Sequence, residues 1–364
     1  MMVWVAFVIV IVAYLQFHKV YHKYWMNNLD VSIFFQGNCA CEGESTKIQQ
    51  VIRNDKLLPL PILEVFFHLD KGLEYKDMSN AVVSDFLYRR DVFSVGGKKK
   101  ISRTLELHCK KRGYYTLDEI ELMTYDVFIQ YKELATKKCF QEFYVYPRKV
   151  SRNRIVLPYR QIMGDLMARK DLQEDPFSFA GLRDYTPQDS MNAINWKASA
   201  KAQDFVVNLY DSSKKQRIMI LLDTYENKSV ANQDLNEESI RIASAIIEHL
   251  LLEGILVTLK GNARDRITKE ILEMKEMDLS NLTHGKQRLA TLECGYEESL
   301  VKMLQEEIVD QYVVLISKNL EFQEVISETI PEFFWIIPYQ YKEPKISVMK
   351  GSYLLWELEM NNIG

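Results

Sequence analysis

The chain has 364 residues, of which 47% are hydrophobic and 26% are charged, and its formal net charge is -4. A chain longer than ~250–300 residues rarely forms a single core, so more than one domain is expected. The weakly acidic balance excludes the basic surface typical of nucleic-acid binders, and no nucleic-acid partner is expected. Five cysteines in a chain of this length do not indicate a disulfide framework.

The N-terminal run MMVWVAFVIVIVAYLQF, from Met1 to Phe17, contains no charged side chain. As a helix it would extend roughly 25 Å, near the short end for a bilayer core. It lacks the basic start and the cleavage site of a signal peptide. We predict a transmembrane helix with its juxtamembrane segment over residues 1–25, and a buried core helix is the alternative.

Charge sets the expected orientation of this span. Lys19 and Lys23 follow it directly, and no Lys or Arg precedes it. The positive-inside rule then predicts a single-pass protein of the cell membrane, with its soluble domains in the cytoplasm. Tyr14, Tyr21, Tyr24 and Trp25 are candidates for an aromatic belt at the membrane surface.

Residues 29–150 contain short segments rich in β-branched and aromatic residues, such as VSIFF, ILEVFFHL and CFQEFYVY. Several alternate apolar and polar residues, and turn-forming pairs such as Gly96-Gly97 separate them. This pattern predicts an antiparallel β-sandwich domain.

The pattern changes after a polar connecting region at 151–215. Residues 216–364 alternate apolar runs such as RIMILLD with amphipathic segments such as EESIRIASAIIEHLLLEG. Alternating strands and helices predict a Rossmann-type α/β domain with a mainly parallel sheet. Ligands of such sheets bind at the carboxyl ends of the strands, where Asp223 and Ser317 are expected.

The connecting region contains the stretch FAGLRDYTPQDSMNAINWKASAK, which is unusually dense in charged, aromatic and turn-forming residues. It resembles the signature of the bacterial domain-of-unknown-function 58 family, G-x-R-x-Y-x-P-G-D-x-x-x-x-I-x-W-x-x-x-A-[RK]. Gln188 stands where the family has its second glycine. The matching residues are Gly181, Arg183, Tyr185, Pro187, Asp189, Ile194, Trp196, Ala200 and Lys201.

The resemblance implies a multidomain, membrane-anchored protein with a β-sandwich and a von Willebrand factor A-like α/β domain. It also implies a non-enzymatic adaptor that acts with a MoxR-type AAA+ ATPase in assembling or maturing envelope proteins. A transglutaminase-like membrane protein is a further possible partner. The signature itself is interpreted as a structural joint with Ile194 and Trp196 as apolar anchors, or as a docking site for the partner.

Von Willebrand factor A domains often bind Mg²⁺ through D-x-S-x-S after the first strand and an Asp after a later strand. Here Asp223 is followed by Tyr225 and Asn227, and Lys318 stands at the later position. An ammonium repels a dication at short range. We therefore expect no metal and no cofactor, and a pairing of Asp223 with Lys318.

Two other functions remain open at this point. One is an exported surface-binding module, which requires the opposite membrane orientation. The other is an unrecognised hydrolase that uses Arg183 and Asp189. The sequence has no H-E-x-x-H metal motif, no G-x-S-x-G nucleophile elbow and no phosphate loop, which favours the non-enzymatic interpretation.

Overall fold

The computed structural model describes residues 2–126, 129, 131–172, 179–187, 189–210, 216–225, 233–294, 311–320, 323–330, 333–346 and 351–358. Val127 and Phe128, Gln188 in the signature, and Asn227 after the first strand of the α/β region lie outside these residues. The chain divides into two compact units. The first comprises residues 1–149 and 289–291, and the second comprises residues 150–288 and 292–364.

The first unit begins with helix α1, Met2–Tyr24. Within the described residues, α1 is the one helix long and apolar enough to cross a membrane. The C-terminal end of α1 differs from this exposed apolar part, because Tyr21 is fully buried there and Trp25, just beyond the helix, is almost fully buried. Both rings belong to the hydrophobic core of the strands that follow. The expectation that they mark an aromatic belt is therefore wrong, because they pack against protein.

Ten strands complete the first unit. They form a four-stranded sheet in the order β1-β3-β8-β5 and a six-stranded sheet in the order β2-β10-β9-β4-β7-β6. β2 pairs in parallel with β10, while β9 pairs antiparallel with both β10 and β4. The strands are β1 Leu29–Phe35, β2 Cys39–Cys41, β3 Ser45–Asn54, β4 Leu60–Leu69, β5 Leu73–Tyr75, β6 Ala81–Val83, β7 Leu87–Val95, β8 Lys99–Cys109, β9 Gly113–Tyr125 and β10 Lys132–Tyr146.

Alternation along the strands explains why the two sheets face each other. In β7 every second residue is buried and those between are exposed, which is the period of a strand with one covered face. Side chains from both sheets meet in one core, among them Ile33 and Ile48 from one sheet and Val65 and Phe143 from the other. The predicted strand-rich, sandwich-like region is confirmed.

Two inward positions of β7, Arg89 and Asp91, hold charged side chains instead of apolar ones. Asp91 is fully buried and accepts hydrogen bonds from Gln50 Nε2 at 2.6 Å, Arg89 Nε at 2.8 Å and Arg103 Nη1 at 2.9 Å. Burial by itself raises the pKa of this carboxyl, but the hydrogen bonds from Arg89 and Gln50 outweigh it and hold the pKa below its usual value.

The second unit contains five further helices and nine further strands among the described residues. The helices are α2 Arg152–Leu172, α3 Trp196–Ala202, α4 Gln233–Leu252, α5 Leu282–Thr291 and α6 Gln323–Thr329. The strands are β11 Phe179–Asp184, β12 Val206–Tyr210, β13 Arg217–Leu222, β14 Leu256–Asp265, β15 Ile271–Met277, β16 Leu292–Glu293, β17 Tyr312–Ile316, β18 Phe333–Tyr339 and β19 Ser352–Glu357.

The main sheet of this unit has the order β15-β14-β13-β17-β18-β19, with β16 also paired to β14. β13, β14, β17, β18 and β19 run parallel, whereas β15 and β16 are antiparallel to β14. β13, β17 and β18 are almost entirely buried, as their continuous apolar sequences predict. The strand order reverses beside β13, so the carboxyl ends of β13 and β17 form the edge where ligands of such sheets bind.

Candidate functional site

The signature stretch folds as the hairpin of β11 and β12 with the short helix α3 between them. The two strands are antiparallel, with an irregularity between Phe179 and Gly181. Tyr185 N–H donates to Phe205 O at 2.8 Å where the strands separate. A Cβ added to Gly181 would meet no atom within 4 Å, and its φ does not lie in the left-handed region. The backbone conformation at position 181 therefore does not require a glycine, although such a requirement is the usual reason for a glycine in a signature.

Asp189 fixes the loop that follows β11. Arg183 donates to both of its carboxylate oxygens at 2.7 Å, in the two-pronged geometry that guanidinium and carboxylate favour. The backbone N–H and the hydroxyl of Thr186 donate to the same carboxylate, each at 2.9 Å. The hydrogen bonds from Arg183 and then from Thr186 hold the pKa of Asp189 far below its usual value. Because all four donors serve to close the loop, Asp189 has the environment of a structural clamp.

Polar caps then start two short helices. Ser190 caps the 3₁₀ turn Met191–Ala193. Asn195 caps α3 by accepting from Ala198 N–H at 3.0 Å, and its amide donates to Asn208 on β12 at 2.7 Å. Ile194 is buried and is the apolar anchor expected from the sequence. Pro187, Ala200 and Lys201 are exposed.

The other expected anchor, Trp196, is 61% exposed. Its ring meets Phe205 edge-on, with centroids 6.1 Å apart, and Phe205 meets Tyr185 in the same way at 6.2 Å. Leu182 and Met191 are exposed large apolar residues of the same stretch. We call Tyr185, Trp196 and Phe205, which are linked by these ring contacts, the aromatic patch. Trp196 therefore does not anchor the hairpin in a core, and its large apolar surface remains available.

The second site lies at the carboxyl end of β13. Asp223 is fully buried. Its Oδ1 accepts from Asn262 Nδ2 at 2.7 Å and from Tyr225 N–H at 3.1 Å. Its Oδ2 accepts from Ser317 Oγ at 2.6 Å and from Asn319 Nδ2 at 2.7 Å. Asp223 and Ser317, expected at neighbouring strand ends, are thus in direct contact.

The orientation of the two amides is fixed by their other partners. Asn262 Oδ1 accepts from Thr224 N–H at 2.8 Å, so its NH₂ group must face Asp223. Asn319 Nδ2 also donates to Tyr225 O at 3.2 Å, so its NH₂ group faces two oxygens. A cation needs oxygen atoms directed towards it, whereas this carboxylate is surrounded by N–H and O–H donors. The site does not fit Mg²⁺.

The hydrogen bonds described for Asp223 all come from neutral donors, and the pairing of Asp223 with Lys318 stays a prediction. Sequence reasoning missed Asn262 and Asn319. Asn319 directly follows Lys318, and an Asn soon after a strand end was the available signal. Asn262 lies within β14, where a strand pattern gives no indication of contact with Asp223.

No group of three or more His, Cys, Asp or Glu side chains with metal-binding geometry occurs in the described part of the chain. At the Arg183–Asp189 pair, the structure offers a fully hydrogen-bonded carboxylate instead of a nucleophile or base. General base chemistry needs an acceptor with a pKa near the working pH, and the pKa of Asp189 is moved away from that range.

No family model matches the chain. It is similar to the uncharacterized protein YeaD of Bacillus subtilis (strain 168), with 22% identity over 266 residues. That alignment covers 73% of this chain and 63% of YeaD, so the chain spans less than two thirds of its relative.

Two solved structures resemble parts of the chain. A non-cellulosomal cohesin from Archaeoglobus fulgidus has a TM-score of 0.22 and 12% identity, over 34% of this chain and 94% of the cohesin. The CARDB domain of the PF1109 protein from Pyrococcus furiosus has a TM-score of 0.22 and 16% identity, over 33% of this chain and 88% of that domain. At TM-scores this low, neither resemblance identifies the fold or the function.

Proposed function

We propose that this protein is a membrane-anchored adaptor of the domain-of-unknown-function 58 type, and that the aromatic patch docks a MoxR-type AAA+ ATPase. The observation that carries the docking role is the exposure of Trp196 within the signature. Trp, Tyr and Arg are enriched among the residues that dominate binding energy at protein interfaces. The patch contains a Trp and a Tyr, and exposed apolar patches commonly mark interaction sites.

Two further features support an adaptor. The sheet order of the second unit and the position of Asp223 match what a von Willebrand factor A-like domain would have, and such domains commonly mediate interactions. The hydrogen-bonding capacity of Asp223, at the carboxyl end of β13, is taken up by neutral donors. We therefore place partner binding on the surface of the unit. Helix α1 supplies the anchor, and Lys19 and Lys23 favour a cytoplasmic location for both units.

The test is co-purification from membranes with the MoxR-type ATPase. Trp196→Ala should abolish capture of the ATPase without lowering the melting temperature, because an exposed ring contributes little to folding. Leu252→Ala is the matched control, since Leu252 is 63% exposed and lies at the end of α4, outside the signature. Equal capture by wild type and Trp196→Ala would reject the docking site.

Sidedness needs its own experiment, because the exported-module alternative differs only in orientation. Protease added to intact cells should leave both units uncut, while the same protease added to opened cells should digest them. Cleavage in intact cells would overturn the cytoplasmic location and remove an ATPase of the cytoplasm from the candidate partners.

A further inference from the structure

The end of α1 lies alongside the β9–β10 hairpin of the first unit, and two contacts define how they run. His22 Nδ1 lies 2.6 Å from Glu133 Oε1 on β10. One helical turn earlier, the ring of His18 packs against that of Tyr131, directly before β10, with centroids 3.9 Å apart and the ring planes tilted by 31°. Deeper in the unit, Tyr21 Oη donates to Tyr125 O at 2.8 Å. Moving towards the N-terminus of α1 therefore means moving towards the tip of the hairpin.

The spacing of these contacts agrees with that direction. His22 to His18 is four helical residues, a rise of about 6 Å. Glu133 to Tyr131 is two residues in an extended chain, about 6.6 Å. One more step of this length along α1 reaches Tyr14, which is partly covered while its neighbours Ala13 and Leu15 are exposed. The hairpin tip thus extends to the level of the uncharged run that ends at Phe17.

The tip has a closed backbone and an exposed apolar side chain. Asp126 N–H donates to Tyr131 O at 3.1 Å, and Ile129 N–H donates to Asp126 O at 2.9 Å. Ile129 has a φ of 59°, a left-handed conformation that is unusual for a β-branched residue. Its side chain is 58% exposed, and that of Tyr131 is 45% exposed. Such strain is retained where it serves a function, and here it holds an apolar side chain outward.

From this geometry, we propose that the β9–β10 turn is a second membrane contact, with Ile129 entering the boundary between headgroups and acyl chains beside α1. The bilayer is the occupant, because Tyr131 contacts His18 of α1 and the preceding part of α1 exposes a run of apolar side chains. Tyr131 suits the interfacial level, where Tyr is enriched in membrane proteins. Lys132, Lys19 and Lys23 are exposed, just on the aqueous side of this level. The inference rests on the proposed membrane anchoring by α1, but it does not depend on which side of the membrane the units occupy.

The experiment places an environment-sensitive nitrobenzoxadiazole label on single cysteines of the full-length protein in phosphatidylcholine–phosphatidylglycerol vesicles. Ile129→Cys is the test position. Val83→Cys is the matched control, because Val83 is β-branched and 54% exposed. It lies at the far end of the sandwich, paired through Leu87 to Leu69. The background replaces the accessible thiols by serine, namely Cys39, Cys41, Cys139 and Cys294, and keeps the buried Cys109.

A label at Ile129 should emit at shorter wavelength in vesicles and be quenched by lipids with brominated acyl chains. A label at Val83 should instead be quenched by aqueous iodide. A third label at Val8, in the middle of α1, reports whether the helix inserts. If Val8 is in lipid but Ile129 behaves as Val83 does, the second contact is refuted and the anchor stands. If Val8 is also aqueous, both are refuted.

A melting curve that matches wild type establishes that each labelled variant is folded. Should the Ile129→Cys variant fail this criterion, Tyr131→Cys takes its place. Its label should then show the same blue shift and the same quenching by brominated lipid, and an iodide-quenched label there would overturn the proposal.

Discussion

Replacing Asp223 by Ala should destabilise the second unit strongly. The substitution removes the acceptor of four hydrogen bonds in a fully buried site. Each buried donor left without a partner costs about 1–3 kcal/mol. The Ser317 hydroxyl can turn away and Asn319 keeps its bond to Tyr225 O, whereas Asn262 Nδ2 loses its 2.7 Å hydrogen bond to the carboxylate. We therefore expect a loss of about 3–5 kcal/mol, at the upper end for single substitutions.

For a unit of this size, that loss corresponds to a fall of about 10 °C in melting temperature. Calorimetry of the full-length protein in detergent would measure it. Asp189→Ala is the control, because Asp189 also accepts four hydrogen bonds, but water can reach the Arg183 side chain that would be left behind. Its melting temperature should fall much less. A loss below about 1 kcal/mol for Asp223→Ala would refute the closed hydrogen-bonded site.

The same measurement tests the metal site. A ligand at 100 times its Kd stabilises a protein by about 2.7 kcal/mol. Millimolar Mg²⁺ should leave the melting temperature of the wild type unchanged, because the donors around Asp223 direct hydrogen atoms at it. A Mg²⁺-dependent rise that disappears in Asp223→Ala would show that the amides reorient around a cation.

Three further outcomes are expected. Asp91→Ala should cost about 3–5 kcal/mol in unfolding free energy, because it leaves Arg89 as an uncompensated buried charge. Since the folded pKa of Asp91 lies below its unfolded value, its contribution to stability is present above pH ~4 and is lost as pH falls through the folded pKa. Unfolding measured across acid pH should show this loss in the wild type, and an identical profile for Asp91→Ala would contradict it. Lys56→Met should stabilise the sandwich at pH 7, because burial lowers the pKa of Lys56 to about 8 and its Nζ has no hydrogen-bond partner in the structure as described. The unfolding free energy of the wild type should rise with pH above about 8, and no change with pH in that range would contradict this. Gly181→Ala should leave the free energy of unfolding within about 0.5 kcal/mol of wild type, and a larger loss would show that the glycine is required.

The strands and α4 of the second unit were predictable because their signal is local. A continuous apolar run such as RIMILLD indicates a strand buried on both faces, and β13 is one. A polar residue after such a run must lie at the carboxyl end, so Asp223 and Ser317 could be placed near each other. The edge strand β6 was missed because its three residues are too few to show a period.

Burial of individual rings was not predictable. Trp196 and Trp25 are both aromatic residues in mixed sequence, yet one is exposed and the other is in a core. What covers a ring is decided by residues far away in the chain. The Tyr21 hydroxyl donates to Tyr125 O and lies 3.4 Å from Thr124 Oγ1, both more than 100 positions away. The partners of Asp223 were hidden for the same reason, since Asn262 reaches it across 39 positions.

The contact between α1 and the sandwich also sets how far the opposite end of the sandwich lies from the end of α1. β9 starts at Gly113, ends beside Tyr21 and has 13 residues, so it extends about 40 Å at ~3.3 Å per residue. If α1 stands upright in a bilayer, β9 extends away from the membrane surface, with its Gly113 end furthest from the lipid. A binding partner would then meet the far end of the sandwich well clear of the lipid headgroups. The protein itself would diffuse only in the plane of the membrane, because α1 would hold it there.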